Sequence, residues 1–137
     1  MASPNAPLTE FQYALIGEAI TAVWNDYGQE TNPTRIRDYL LDKIKNESGG
    51  TERVAYELAK QLLPFTREGV YGDFFNGRAN ISLDDDMVGL ELEELKNAPE
   101  LRRVVLFVLT SRIAHDMYLT RDRKKLCLVD EAWQLLG

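Results

Sequence analysis

Between Pro99 and Arg121 the chain contains neither glycine nor proline. Residues 104–109 (VVLFVL) would suit a strand if read alone. Length decides for a helix, because the apolar positions continue at Ile113, Ala114 and Met117, well past the reach of an ordinary strand. A helix apolar almost all round is expected to be buried on several sides. A charged turn, 121–125, follows, and then a second apolar run, Leu126-Cys127-Leu128-Val129, closed by Asp130 and Glu131. A run this short, unbroken and bounded by charge fits a strand buried on both faces. Upstream, Val88, Leu90 and Leu92 alternate with Gly89, Glu91 and Glu93, the period-two pattern of a half-buried strand. Strand, helix and strand in this order predict a βαβ unit with parallel strands and a right-handed crossover.

That arrangement gives the acidic pair a use. Ligands of open α/β sheets bind at the carboxyl ends of strands. There, Asp130 can hold Mg²⁺ directly or through its waters, and Glu131 can orient or activate a water for attack on a γ-phosphate. This is the Walker B arrangement of P-loop ATPases. A strand that simply ends in a solvated acidic turn would carry the same letters, and a short motif is weak by itself. The βαβ context is what favours the chemical reading.

A chain of 137 residues, 45% hydrophobic and 28% charged, has room for one domain with a real core. Its net charge of -6 argues against a dedicated nucleic-acid-binding module, which would carry a basic face. One cysteine, Cys127, and one histidine, His115, make neither a disulfide framework nor a zinc site, so a reducing, cytoplasmic setting is expected. His115 reads as a packed or surface helix residue rather than a catalytic base. No apolar run reaches the length of a bilayer span, and no signal peptide is visible.

The first half reads as helices. Thr9 and Gln12 have the capping-box spacing, and Phe11, Leu15, Ile16, Ala19, Ile20, Val23, Trp24 and Tyr27 recur at helical spacing up to Gly28, a C-cap. A helix is expected over about 10–27, with its aromatic stripe in the core. Thr31 or Asn32 caps the next helix, with Pro33 in its first turn and Ile36, Leu40, Leu41 and Ile44 on its apolar face. Residues 46–50 (NESGG) end it. Thr51 starts a third, with Val54, Leu58, Leu62 and Leu63 inward and Pro64 as its stop. Three amphipathic helices on short connections predict a helical subdomain over 1–64.

Residues 65–81 carry Gly69, Gly72 and Gly77 with Tyr71, Phe74 and Phe75 between them, a pattern for an irregular segment pinned by aromatics. A phosphate loop is excluded on chemistry, since no G-x-x-x-x-G-K-[ST] occurs. Asp84, Asp85 and Asp86 lack the ligand spacing of a calcium loop and read as a solvated acidic turn.

Residues 101–136 (LRRVVLFVLTSRIAHDMYLTRDRKKLCLVDEAWQLL) resemble the Walker B region of TraC-type conjugation ATPases, the large ATPases of type IV secretion systems. Residues 69–95 (GVYGDFFNGRANISLDDDMVGLELEEL) resemble the segment these proteins carry before that helix. Residues 8–64 resemble the α-helical insertion between their Walker A and Walker B motifs. The resemblance implies a fold that is mostly α with a small β part: a helical subdomain (1–64) plus a βαβ piece (65–137) of a RecA-like P-loop ATPase domain. It implies that Asp130 is the Mg²⁺-linked aspartate and Glu131 the catalytic glutamate. It also implies a P-loop upstream of residue 1 and further core strands beyond Gly137, so the chain is expected to be a fragment. For the parent it implies ATP and Mg²⁺ as cofactors, a hexamer working with other secretion-system components, and a cytoplasmic position peripheral to the inner membrane. The fragment alone is expected to be inactive, without tightly bound cofactor and without direct nucleic-acid contact. A strand edge left open near 126–136 is expected to pair with a second copy. Two other readings use the same residues: a fragment of a DNA helicase or coupling ATPase, and a non-enzymatic helical interaction domain.

Overall fold

The computed structural model describes residues 7–46, 49–78, 85–119 and 124–130, and the chain separates into two compact units, 1–84 and 85–137. In the first unit, α1 spans Glu10–Tyr27, α2 spans Pro33–Asn46 and α3 spans Gly50–Leu62. The start of α1 is fixed by the expected box: the Gln12 N–H donates to Thr9 Oγ1 at 3.2 Å and the Thr9 N–H donates to Gln12 Oε1 at 2.8 Å. Gly28, at φ 53°, ends the helix by sending its N–H back to the Trp24 carbonyl. Asn32 is the cap of α2, its Oδ1 accepting the Arg35 N–H at 3.1 Å. Pro33 follows at the one position where a missing N–H costs nothing.

The three helices bury Leu15, Ala19, Leu40, Ala55, Leu58 and Ala59, with Ile36, Leu41, Ile44, Val54 and Leu62 packed against them. Alanines at 19, 55 and 59 keep the helices close, and Leu40, with no exposed surface, sits where they meet. Burial of a leucine this complete stabilises by about 1.5–3 kcal/mol. The α1 stripe divides where the sequence suggested one continuous core face. Leu15, Ala19 and Val23 are buried, whereas Phe11, Ile20, Trp24 and Tyr27 are about half exposed. The apolar arc of α1 is wider than the side that its neighbours cover. Leu63 likewise turns outward, because the chain tightens into a 3₁₀ turn at Leu63–Phe65.

Residues 63–76 form a knot against this bundle. The Tyr71 N–H donates to the Pro64 carbonyl and the Gly69 N–H to the Thr66 carbonyl, both at 2.8 Å. Thr66 is fully buried and its hydroxyl donates to the Leu63 carbonyl at 2.9 Å. A single turn, α4 (Gly72–Phe75), ends at Asn76, whose Nδ2 donates to the carbonyls of Phe65 (2.9 Å) and Gly72 (2.8 Å). The Thr34 hydroxyl donates to Asn76 Oδ1 and accepts the Arg67 N–H, which ties the knot to α2. Phe65 packs on Tyr71 and edge-on against Phe75. By packing, then, residues 65–78 go with the helices before them. The expected division at 64 and 65 concerns motor-domain anatomy, which packing does not test.

The second unit has a 3₁₀ turn at Glu93–Asn97 and one long helix, α5 (Pro99–Leu119). Leu101 is buried, Val104, Val105 and Leu106 are half-buried, and Phe107, Val108, Tyr118 and Leu119 are exposed, so α5 is less enclosed than its composition implies. The mostly helical fold is as expected, but no strand occurs among the described residues. Residues 88–92 and 124–129 form no strand where the sequence predicted the two strands of the βαβ unit. A strand is a relation between two segments: without a neighbour to take its N–H and C=O groups, an alternating or apolar run has no ladder to join. No described helix is long and apolar enough to cross a membrane.

Candidate functional site

The acidic end expected at a buried strand lies instead on an exposed segment. Residues 124–130 follow α5, and Leu126 and Leu128 are 83% and 85% exposed, with Cys127 and Val129 also at the surface. Asp130 stands in a turn with its side chain exposed. Glu131 lies outside the described residues, as do 132–136 and Asp84. A hydrogen bond ties the segment to α5. Lys125, half-buried, extends its Nζ to the Asp116 carbonyl in the last turn of α5. Lysine there meets carbonyls that have no partner within the helix and the negative end of its dipole. The Asp116 carboxylate is engaged separately, by Arg112 Nε at 2.8 Å one turn back.

The described site therefore holds one carboxylate of the expected pair, on an exposed turn rather than at the end of a strand. Its donor set, a single exposed carboxylate, suits one ligand of a hydrated Mg²⁺ and cannot cradle a triphosphate by itself. Among the described residues no group of three or more His, Cys, Asp or Glu converges. His115 is exposed on α5, and Asp85 and Asp86 are exposed in a bend. A shallow open depression lies between the end of α2 and the start of α3, lined by Ile44, Gly49, Glu52, Arg53 and Tyr56. Its arginine is committed to Glu57 at 3.1 Å, so it gathers no convergent polar set.

The first unit carries its own polar tie. Glu18 on α1 accepts from Lys43 and from the Tyr39 hydroxyl (3.0 Å) on α2. These donors, Lys43 foremost, hold the Glu18 carboxyl below its ordinary value. The sequence reading missed this pairing because the partners lie on different helices.

Comparison with known proteins covers nearly all of this ground. The TraG P-loop domain family matches residues 36–137. Protein TraC of Escherichia coli (strain K12) is 37% identical over 147 aligned positions, covering 99% of this chain and 16% of the relative. The chain thus spans about one sixth of the curated relative that it matches. No solved structure matches it.

Proposed function

The chain belongs to the TraG P-loop domain family, and from that premise we propose that it is the helical and Walker B segment of an ATPase that powers conjugative transfer through a type IV secretion system. The observation that carries the reading is the 37% identity with TraC over 99% of the chain. In the complete motor domain, residues 126–129 become a central strand and 88–92 a second one, with α5 as the crossover between them. The exposure of Leu126, Leu128 and Val129 supports this, since apolar side chains left at the surface fit a segment that other strands cover.

Closing that sheet carries Asp130 and Glu131 to a strand's carboxyl end, beside a P-loop supplied from elsewhere in the parent. A Mg²⁺ held there would supply positive charge against the triphosphate. Asp130 would hold that ion or one of its waters, and Glu131 would orient the attacking water and take its proton. The parent works as a hexamer on the cytoplasmic side of the inner membrane, with other secretion components as partners. The 137-residue chain by itself does not hydrolyse ATP, because two carboxylates without the P-loop amides and lysine repel a triphosphate. A second copy joined along 126–136 is a further way for the isolated chain to cover its apolar segment.

The test uses the full-length parent. Glu131→Gln should keep nucleotide binding and lose most turnover, and Asp130→Asn should also weaken the Mg²⁺-dependent part of binding. Wild-type turnover in either variant refutes the role assignment. Phosphate release by the 137-residue chain, above an Asp130→Asn, Glu131→Gln control, refutes its inactivity.

A further inference from the structure

In the run Leu126-Cys127-Leu128-Val129 every position is apolar. Register in a sheet is ordinarily chosen by alternation, since a slip of one residue turns every side chain to the other face. A run without alternation, buried on both faces, accepts either register. The acidic pair beyond it does not. A slip of one residue would bring Glu131 to the place of Asp130, and the two have different tasks. Something outside the run has to set where it begins.

Lys125, the residue before the run, has the means. Among the described residues of 124–130 it alone is half-buried, while Lys124 and 126–130 are exposed. Its ammonium donates to the Asp116 carbonyl in the last turn of α5. Carbonyls of a last turn lack partners within the helix, and the helix dipole favours a cation there. The contact is made to backbone, whose place the helix fixes, whereas the Asp116 carboxylate turns to Arg112. Both partners belong to the second unit, so the contact needs no other part of the parent.

We propose that Lys125 is a positioning residue: clamped to the end of α5, it sets the register in which 126–129 enter the sheet, and with it which carboxylate reaches the Mg²⁺. The proposal rests on the roles given above to Asp130 and Glu131.

Two quantities in the full-length parent read the register: ATP turnover, and the Mg²⁺ concentration that half-saturates nucleotide binding. Lys125→Met keeps the side-chain length and removes the donor. It should lower kcat and raise that Mg²⁺ concentration, each about tenfold, as the loss of a group that orients a metal ligand does. Nucleotide binding without Mg²⁺ should stay unchanged, which also reports a folded P-loop. Lys125→Arg, which keeps charge and donors, should recover most of both. Lys124→Met removes the same charge one residue away and should change neither. In an Asp130→Asn background, Lys125→Met should add no further rise in the Mg²⁺ requirement, because it acts through that carboxylate. If Lys125→Met loses Mg²⁺-free binding, Lys125→Gln takes its place in every arm. An unchanged Mg²⁺ requirement, equal effects of Lys124→Met and Lys125→Met, or effects that add to those of Asp130→Asn overturn the proposal. An Asp130→Asn parent with an unaltered Mg²⁺ requirement overturns the role of Asp130 itself, and the proposal with it.

Discussion

Gly69 is where one methyl group should do the most damage. A Cβ there would fall 2.1 Å from the Leu63 carbonyl oxygen and 2.4 Å from that of Pro64. Both obstacles are backbone, so no side chain can swing aside. To admit alanine the knot has to open, and with it go the hydrogen bonds from Gly69 to Thr66 and from Tyr71 to Pro64. Two such bonds are worth about 1 kcal/mol each, and crowding in a packed site costs about 1–3 kcal/mol. Alanine gives back about 0.4–1 kcal/mol by restricting the unfolded chain. The net expectation for Gly69→Ala is a loss of about 2–4 kcal/mol, a large share of an ordinary domain's stability. Gly17→Ala is the internal control: open space surrounds it, and helix propensity alone predicts a gain of about 1 kcal/mol. Guanidinium denaturation followed by circular dichroism at low micromolar protein, with the m-value checked for constancy, measures both. Gly69→Ala within about 0.5 kcal/mol of the parent, or less stable Gly17→Ala than Gly69→Ala, would refute the reasoning.

Leu40→Ala should cost about 2–5 kcal/mol, because Leu40 has no exposed surface, whereas Leu126→Ala should stay within about 0.5 kcal/mol. Equal losses in the same denaturation assay would contradict the burial pattern. Glu18 is held below the ordinary carboxylate value in the folded chain, so its contribution is present above that value and fades as pH falls through the lowered one. Since half of its side chain is exposed, the gap between the parent and Glu18→Gln should stay below about 1 kcal/mol. That gap should be greatest near neutral pH and shrink in acid, and a gap independent of pH would rule the ion pair out as its source.

What could be read from the letters was what local chemistry settles. Thr9 and Gln12 set the start of α1, Gly28 its end, and the absence of Gly and Pro after Pro99 carried α5 through an apolar run that alone resembled a strand. Outcomes that depend on a distant partner were not legible. Leu126–Val129 and Val88–Leu92 have strand patterns, yet a pattern cannot supply the neighbouring ladder. The apolar arc of α1 runs on past Leu15, Ala19 and Val23 to Phe11, Ile20, Trp24 and Tyr27, and only the placement of α2 and α3 decides which part becomes core. The Thr34–Asn76 tie joins residues 42 positions apart and left no periodic trace. At the acidic end, the residue types pointed to Asp130, but whether it sits on a strand depends on chain segments that meet it from elsewhere.

The bond from Lys125 to the end of α5 also measures out a reach. It joins residues nine positions apart. Asp130 follows Lys125 by five residues, and extended chain covers at most about 3.5 Å per residue. While the bond holds, the Asp130 backbone lies within about 18 Å of the Lys125 backbone. Whatever Asp130 serves must come within that span of Lys125, with the aspartate side chain added.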